Sequence, residues 1–154
     1  MINLPTPDLL AELVSNVTRP MFGISFALAP ESPGNTPFQG AEPYRTLLLG
    51  IEGSRPLTVA IAADRPGAKM LGGVMFGCPP DDVDVSMIED ALGELLNIFS
   101  AQVKKVLDLD ERLGLPRVAG PAETLQRVKA WRSATLRSGT TNVTVWVAVA
   151  ETEG

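Results

Sequence analysis

The sequence predicts an α+β fold: a mainly antiparallel β-sheet with two or three helices packed against it. Three observations carry this. Two apolar, β-prone runs, Tyr44 to Glu52 and Leu57 to Ala63, lie only a Gly53-Ser54-Arg55-Pro56 turn apart, which implies neighbouring antiparallel strands. Near the end of the chain, Val143, Val145, Val147 and Val149 alternate strictly with Thr144, Trp146, Ala148 and Ala150, the period of a strand. Two other segments repeat their apolar residues every three to four positions, the period of a helix. With 154 residues, the chain suits a single domain over 1–154, because two halves would each be short of core.

In chain order, Thr6-Pro7-Asp8 reads as an N-cap, a first-turn proline and an early acid. Leu9, Leu10, Leu13, Val14 and Val17 follow at helical spacing, and Pro20 is expected to close that helix. Met21 to Leu28 is a strand candidate, and residues 31–40, rich in Pro, Gly and Asn, read as a loop. After the two central strands, Asp64 to Gly77 has helical spacing, yet Gly67, Gly72 and Gly73 predict a short or imperfect helix. Ser86-Met87-Ile88-Glu89 reads as a capping box opening a long helix over 86–107. Lys104 and Lys105 complement that helix's negative pole. Gly114 to Gly120 is extended or turn, Ala122 to Lys129 is expected to be helical, and Trp131 to Arg137 pairs with the final strand in a hairpin. That final strand could pair across a homodimer if it lay at the sheet edge.

Composition excludes more than it suggests. Hydrophobic content of 45% with 20% charged residues fits a folded domain. The formal net charge of −5 disfavours nucleic acid as a partner, because neutralising phosphates needs clustered Lys and Arg. No apolar run spans a bilayer and the N-terminus lacks the basic start of a signal peptide, so a cytoplasmic location without membrane association is expected. The single Cys78 permits no internal disulfide. The chain contains no histidine, which removes Ser-His-Asp and Cys-His nucleophilic sites and the commonest zinc ligand. Carboxylate, amide, hydroxyl and ammonium chemistry remain.

The long helix carries the strongest functional signal. At about 100° per residue, Ile88, Leu92, Leu95, Phe99, Val103 and Val106 fall on one stripe, which should be buried. Asp90, Glu94, Asn97 and Ala101 fall on a second stripe on roughly the opposite side. A solvated outer face explains polar residues by itself. It does not explain Gly93, which costs about 1 kcal/mol inside a helix relative to Ala, or Asn97, a mediocre helix former. Small residues at Gly93 and Ala101 beside the polar line would let another backbone come close, as on a docking face.

Asp90-x-x-x-Glu94-x-x-Asn97 resembles the active-site signature of the CheC/CheX-type chemotaxis phosphatases. The run Asp90-Ala-Leu-Gly-Glu-Leu-Leu-Asn-Ile is similar to the family's text around that helix. Leu115-Pro116-x-Val118-x-Gly120 resembles the short proline-containing strand entry that follows. The likeness covers most of residues 40–120. It implies a CheC-like fold and hydrolysis of the aspartyl-phosphate on a CheY-like receiver domain. By similarity, Glu94 would pair with the receiver's active-site lysine, Asn97 would orient the attacking water, and Asp90 would support them. The family's chemistry implies no cofactor of this chain's own, with Mg²⁺ supplied in the receiver. One departure stands out: the family commonly carries glycine four residues after the Asn, where this chain has Ala101. The alternative implied by the same likeness is a non-catalytic adaptor of this fold that binds a receiver or another signalling protein.

There is also an internal echo. Asp8 to Ser15 matches Asp90 to Asn97 at Asp8/Asp90, Leu10/Leu92, Glu12/Glu94 and Leu13/Leu95; two amphipathic helices can match in this way by chance, which is the default reading, and a duplicated helix–strand unit is the sharper one. In the first copy Ser15 holds the Asn position and Asn16 falls one place late, about 100° round the helix. A single active helix is therefore expected.

Overall fold

In a computed structural model, residues 3–30, 43–109, 112–120, 128–139 and 143–152 are described. The elements are α1 (Pro7–Phe22), β1 (Ala27–Leu28), β2 (Arg45–Ile51), β3 (Leu57–Ala63), α2 (Arg65–Phe76), α3 (Val85–Val106), β4 (Arg117–Ala119), β5 (Val128–Arg137) and β6 (Thr144–Thr152). The strands form one sheet in the order β1-β5-β6-β3-β2-β4, and every neighbouring pair is antiparallel. Among the described residues no helix is long and apolar enough to cross a membrane.

This strand order is its own mirror. Exchanging β1 with β4, β2 with β5 and β3 with β6 reproduces it in reverse. The chain is thus two units, α1-β1-β2-β3 and α3-β4-β5-β6, joined by α2 and meeting at the central β3–β6 pair. The sequence echo between α1 and α3 has a topological counterpart in the sheet. The final strand is the one element misplaced by the dimer expectation: β6 lies between β5 and β3, so it offers no free edge.

One sheet face packs against the helices. Leu47, Leu49 and Ile51 of β2, Val59 and Ile61 of β3, and Val145, Val147 and Val149 of β6 form one core with Leu10 and Val14 of α1, Leu71 of α2 and the apolar stripe of α3. The opposite face is also buried, where helices on one side alone would leave it wet. It is built from Ala60, Ala62, Ala148 and Ala150 with Leu48, Ala119, Trp131 and Trp146. Cross-strand pairs set large against small, Trp131 opposite Ala150 and Trp146 opposite Ala62.

Several local expectations change for identifiable reasons. Thr6 caps α1 as read, accepting a hydrogen bond from the Leu9 amide at 3.2 Å. Pro20, however, sits inside the helix, which runs on to Phe22 and stops at Gly23 in the left-handed conformation (φ 69°). A proline so near the end removes only one backbone bond, the one its missing N–H would make to the Asn16 carbonyl, and Asn16 is an exposed residue. The apolar run after it is therefore not a long strand. Ser15 Oγ donates to the Phe26 carbonyl at 2.7 Å and accepts from the Phe26 amide at 3.0 Å, and Thr18 Oγ1 donates to the Ile24 carbonyl at 2.7 Å. These hydroxyls satisfy backbone groups that a sheet partner would otherwise take, and the pairing with β5 is short: Ala27 and Leu28 in the ladder, with the Ala29 amide donating to the Thr135 carbonyl at 2.8 Å.

Helix α2 is regular over 12 residues. Its glycines serve packing: a Cβ at Gly72 would lie 2.7 Å from Val83 Cγ1, and one at Gly73 2.8 Å from the Cys78 carbonyl oxygen. They let the turn through Pro80–Asp82 fold back closely, with half-buried Cys78 packed against the core. Helix α3 is capped by Asp84, whose Oδ1 accepts from the Met87 amide at 2.9 Å. Ser86 therefore lies in the first turn, because Asp84 makes the capping bond two residues earlier. Val106, read as buried, is 44% exposed at the helix end. Val128 and Lys129 belong to β5 and not to a helix; the rest of that expected helix, 122–127, and the loop read at 31–40 lie outside the described residues.

Asp64 joins the two units. Its Oδ1 accepts from the Gly67 amide at 2.7 Å, capping α2, and its Oδ2 accepts from the Thr144 amide at 3.2 Å, fixing the start of β6. Asp64→Ala should lower the unfolding free energy by about 1–3 kcal/mol in urea titration, through a lost cap and an orphaned amide. Asp64→Asn should recover only the cap's share of that loss, because its single amide oxygen can accept from Gly67 while its NH₂ faces the Thr144 amide, and equal losses in both variants would contradict the capping role.

Candidate functional site

Helix α3 turns its polar line outward because its other side is claimed by the core. Ile88, Ala91, Leu92, Leu95, Leu96, Phe99 and Val103 are all at or below 1% exposure, and they pack chiefly on α2, α1, β2 and β3. Asp90, Glu94 and Ala101 are exposed, and Asn97 is half-buried. Spacings of four and three residues place Asp90, Glu94 and Asn97 along one face, each next to the following one. Among the described residues none holds these three side chains by an ion pair or hydrogen bond, so they are left for water or a partner.

Gly93 is half-buried. A Cβ built there would lie 3.7 Å from Leu47 Cδ2 and 3.7 Å from Pro116 Cβ. What comes close to Gly93 is thus not another backbone but this chain's own side chains, Leu47 and the Pro116 ring. The two sequence stretches that carried the family resemblance meet at this contact, which no sequence periodicity could show because the residues lie far apart in the chain. On the helix surface Gly93 follows Asp90 by three residues and precedes Asn97 by four, so Pro116 abuts α3 between those two polar groups.

A cleft of about 430 Å³ opens beside the start of α3, lined by Tyr44, Arg45, Thr46, Glu89, Val118 and Ala119 among others. Arg45 Nε lies 3.7 Å from Glu89 Oε2, its guanidinium carbon 4.6 Å from the Tyr44 ring centroid. Both charged side chains are about a third exposed, so this pair contributes little stability. The cleft was not legible in the residue pattern, because its walls come from three separate elements.

Chemically, the line offers two carboxylates able to attract a cation and one amide able to donate and accept hydrogen bonds together. Among the described residues no group of three or more His, Cys, Asp or Glu is placed to hold a metal ion. Asp81 and Asp82 form the turn before α3, and Asp84 is its cap. On α1, Asp8 and Glu12 are exposed, but Ser15 is 2% exposed and engaged with Phe26. The first copy of the helix therefore carries no outward group at the position of Asn97.

No protein-family model matches the chain, and no curated protein does. Solved structures do. A chain of the CheX–CheY–BeF3–Mg²⁺ complex from Borrelia burgdorferi is similar at a TM-score of 0.70 and 17% identity, covering 98% of this chain and 100% of that one. A CheC-like superfamily protein from Shewanella sp. PV-4 is similar at 0.69 and 16%, with 94% of each chain covered. A chain of the FliM–SpeE complex from H. pylori is similar at 0.66 and 11%, covering 94% and 83%. The α+β fold expected from the sequence is the fold of the CheC-like and CheX chemotaxis proteins.

The spacing at Gly93 yields a stability test. A methyl there would make ordinary contacts with Leu47 and Pro116, while alanine is the better helix former. Gly93→Ala should raise the unfolding free energy by roughly 0.5–1 kcal/mol in urea titration. A loss of stability instead would mean that the Pro116 contact is too tight for a methyl.

Proposed function

We propose that this protein accelerates hydrolysis of the aspartyl-phosphate on a CheY-like receiver domain, with Glu94 and Asn97 as its working residues and Asp90 in support. The observation that carries this reading is the outward line on α3: an acid and an amide one helical turn apart, unclaimed by the described chain, on a helix locked by its buried face. The likeness of the fold to a chain of the CheX–CheY–BeF3–Mg²⁺ complex supports a receiver as partner.

The chemistry asks little else of this chain. Phosphoryl transfer depends on positioning and charge stabilisation. The receiver would contribute the phosphoryl group, a lysine and the Mg²⁺ that neutralises the phosphate oxygens. Glu94, exposed on α3, would pair with the lysine and set the docking register. The Asn97 side-chain oxygen would accept a hydrogen bond from the attacking water, and its NH₂ would donate to hold the line of attack. The water oxygen forms the new P–O bond as the bond from phosphorus to the aspartate oxygen breaks. The receiver's aspartate is left as a free carboxylate and inorganic phosphate departs, carrying both of the water's protons. No histidine is required.

A second reading, an adaptor of the same fold without catalysis, draws on Ala101, whose exposed methyl stands four residues beyond Asn97 where a receiver would approach. One experiment separates the two. Purified protein is mixed with CheY-type receivers of the source organism charged with acetyl phosphate, and phosphate release is followed. Wild type should accelerate release. Asn97→Ala should lose about 10²-fold or more of the acceleration with binding little changed. Glu94→Gln should weaken binding about tenfold at low salt and less at high salt. Binding without acceleration by wild type would leave the adaptor, and an unaltered rate in Asn97→Ala would remove that residue from the mechanism.

A further inference from the structure

We infer that Leu115 is the apolar anchor of the face on which the receiver docks, which rests on the function proposed above. Leu115 is 85% exposed, more than any other large apolar side chain among the described residues. An exposed leucine on a floppy loop would mean little. This one is braced on both sides. The Gly114 amide donates to the Gly50 carbonyl at 2.7 Å, Leu113 bridges to Ile51, and the Glu52 amide donates to the Arg112 carbonyl at 2.9 Å. On the other side Pro116 rests against α3 at Gly93, and Arg117 begins β4 against β2.

The bracing fixes the backbone at the leucine. Pro116 meets α3 between Asp90 and Asn97, and Leu115 is its immediate neighbour in the chain, at the edge of that contact. Val118, 47% exposed, lines the Arg45–Glu89 cleft beside the start of α3. The resulting face has two exposed carboxylates, an amide and a pre-positioned leucine at its rim. It fits a partner with a basic group facing Glu94 and an apolar recess beside it. A receiver whose phosphorylated aspartate neighbours a lysine meets the first condition, and the inference assigns it the second. Because the segment is already ordered, burying Leu115 sacrifices little conformational freedom, and its transfer from water adds to affinity almost in full.

The test measures affinity and turnover separately. Receiver charged with BeF3⁻ and Mg²⁺ is titrated with wild type, Leu115→Asp, Leu115→Ala and Leu115→Met. Phosphate release from acetyl-phosphate-charged receiver is measured on the same proteins. Leu115→Ala should weaken binding about tenfold and Leu115→Asp more, with Leu115→Met close to wild type. KM should rise in step while kcat stays within about twofold, because the leucine stands beside Pro116 and not among the reacting groups. The unfolding midpoint should not move, since the side chain is solvated in the free protein. Wild-type binding with an unchanged Kd in Leu115→Asp overturns the anchor and leaves the proposed function standing. A wild type that neither binds nor dephosphorylates overturns the reading beneath it, and the anchor falls with it.

Discussion

The rotation of α3 about its own axis is the setting on which everything outward depends. Ile88, Leu92, Leu95, Leu96, Phe99 and Val103 are each worth about 1.5–3 kcal/mol when withdrawn from water, and all are fully enclosed. Turning the helix by one residue, about 100°, would carry this stripe partly into solvent and press Glu94 towards the core. No single polar contact could offset that cost. The acid–amide line thus needs no internal hydrogen bonds to aim it, because the buried side holds the aim. That leaves the line's own hydrogen-bonding capacity for use outside the molecule.

The same constraint explains which parts of the structure could be read in advance. Helix α3, strands β2 and β3, and the alternation of β6 are governed by burial of one or both faces, and burial writes its period into neighbouring residues. The capping by Thr6 and the turn glycines are likewise local. Apart from the cap of α3 and the end of α1, what failed was settled at a distance. Met21 to Leu28 has the composition of a strand, but Ser15 and Thr18 reach across to Phe26 and Ile24 and take the backbone bonds first. Gly72 and Gly73 look like flaws in a helix until Val83 and Cys78 are seen against them. Strand β6 has the strongest pattern in the chain, yet pattern does not specify neighbours, and the edge it was imagined to occupy belongs to β1 and β4. For the site, the polar line was legible from helical spacing, whereas the brace at Pro116 and the place of Leu115 beside it were not. Their positions depend on a contact between residues 93 and 116.

The two halves of the fold show how one plan can be put to different uses. Both units run helix, short strand, long strand, long strand, and the sheet order maps one onto the other. Both helices carry Asp and Glu four residues apart on an exposed face. At the next position they diverge. Asn97 is turned towards solvent, while Ser15 is turned inward, where it both donates to and accepts from Phe26. A buried hydroxyl with both functions satisfied stabilises the α1–β1 junction, and an unsatisfied amide there would cost about 1–3 kcal/mol. Packing demand on the first helix and availability on the second are therefore competing uses of equivalent positions.

This competition bears on how a chain without histidine could act on a phosphoryl group. An enzyme that builds a whole active site must bury charged groups and hold each against desolvation. A face that completes another protein's site escapes that demand, since its acid and amide remain solvated until the partner arrives. The requirement then shifts from tuning ionisation to holding geometry, which a core-locked helix and a doubly braced leucine segment both supply. On this view an exposed Glu94 and a half-buried Asn97 that pair with no other described residue are what a docking surface calls for. Specificity would then lie at the rim, in how well a partner receives the leucine beside the acid–amide line.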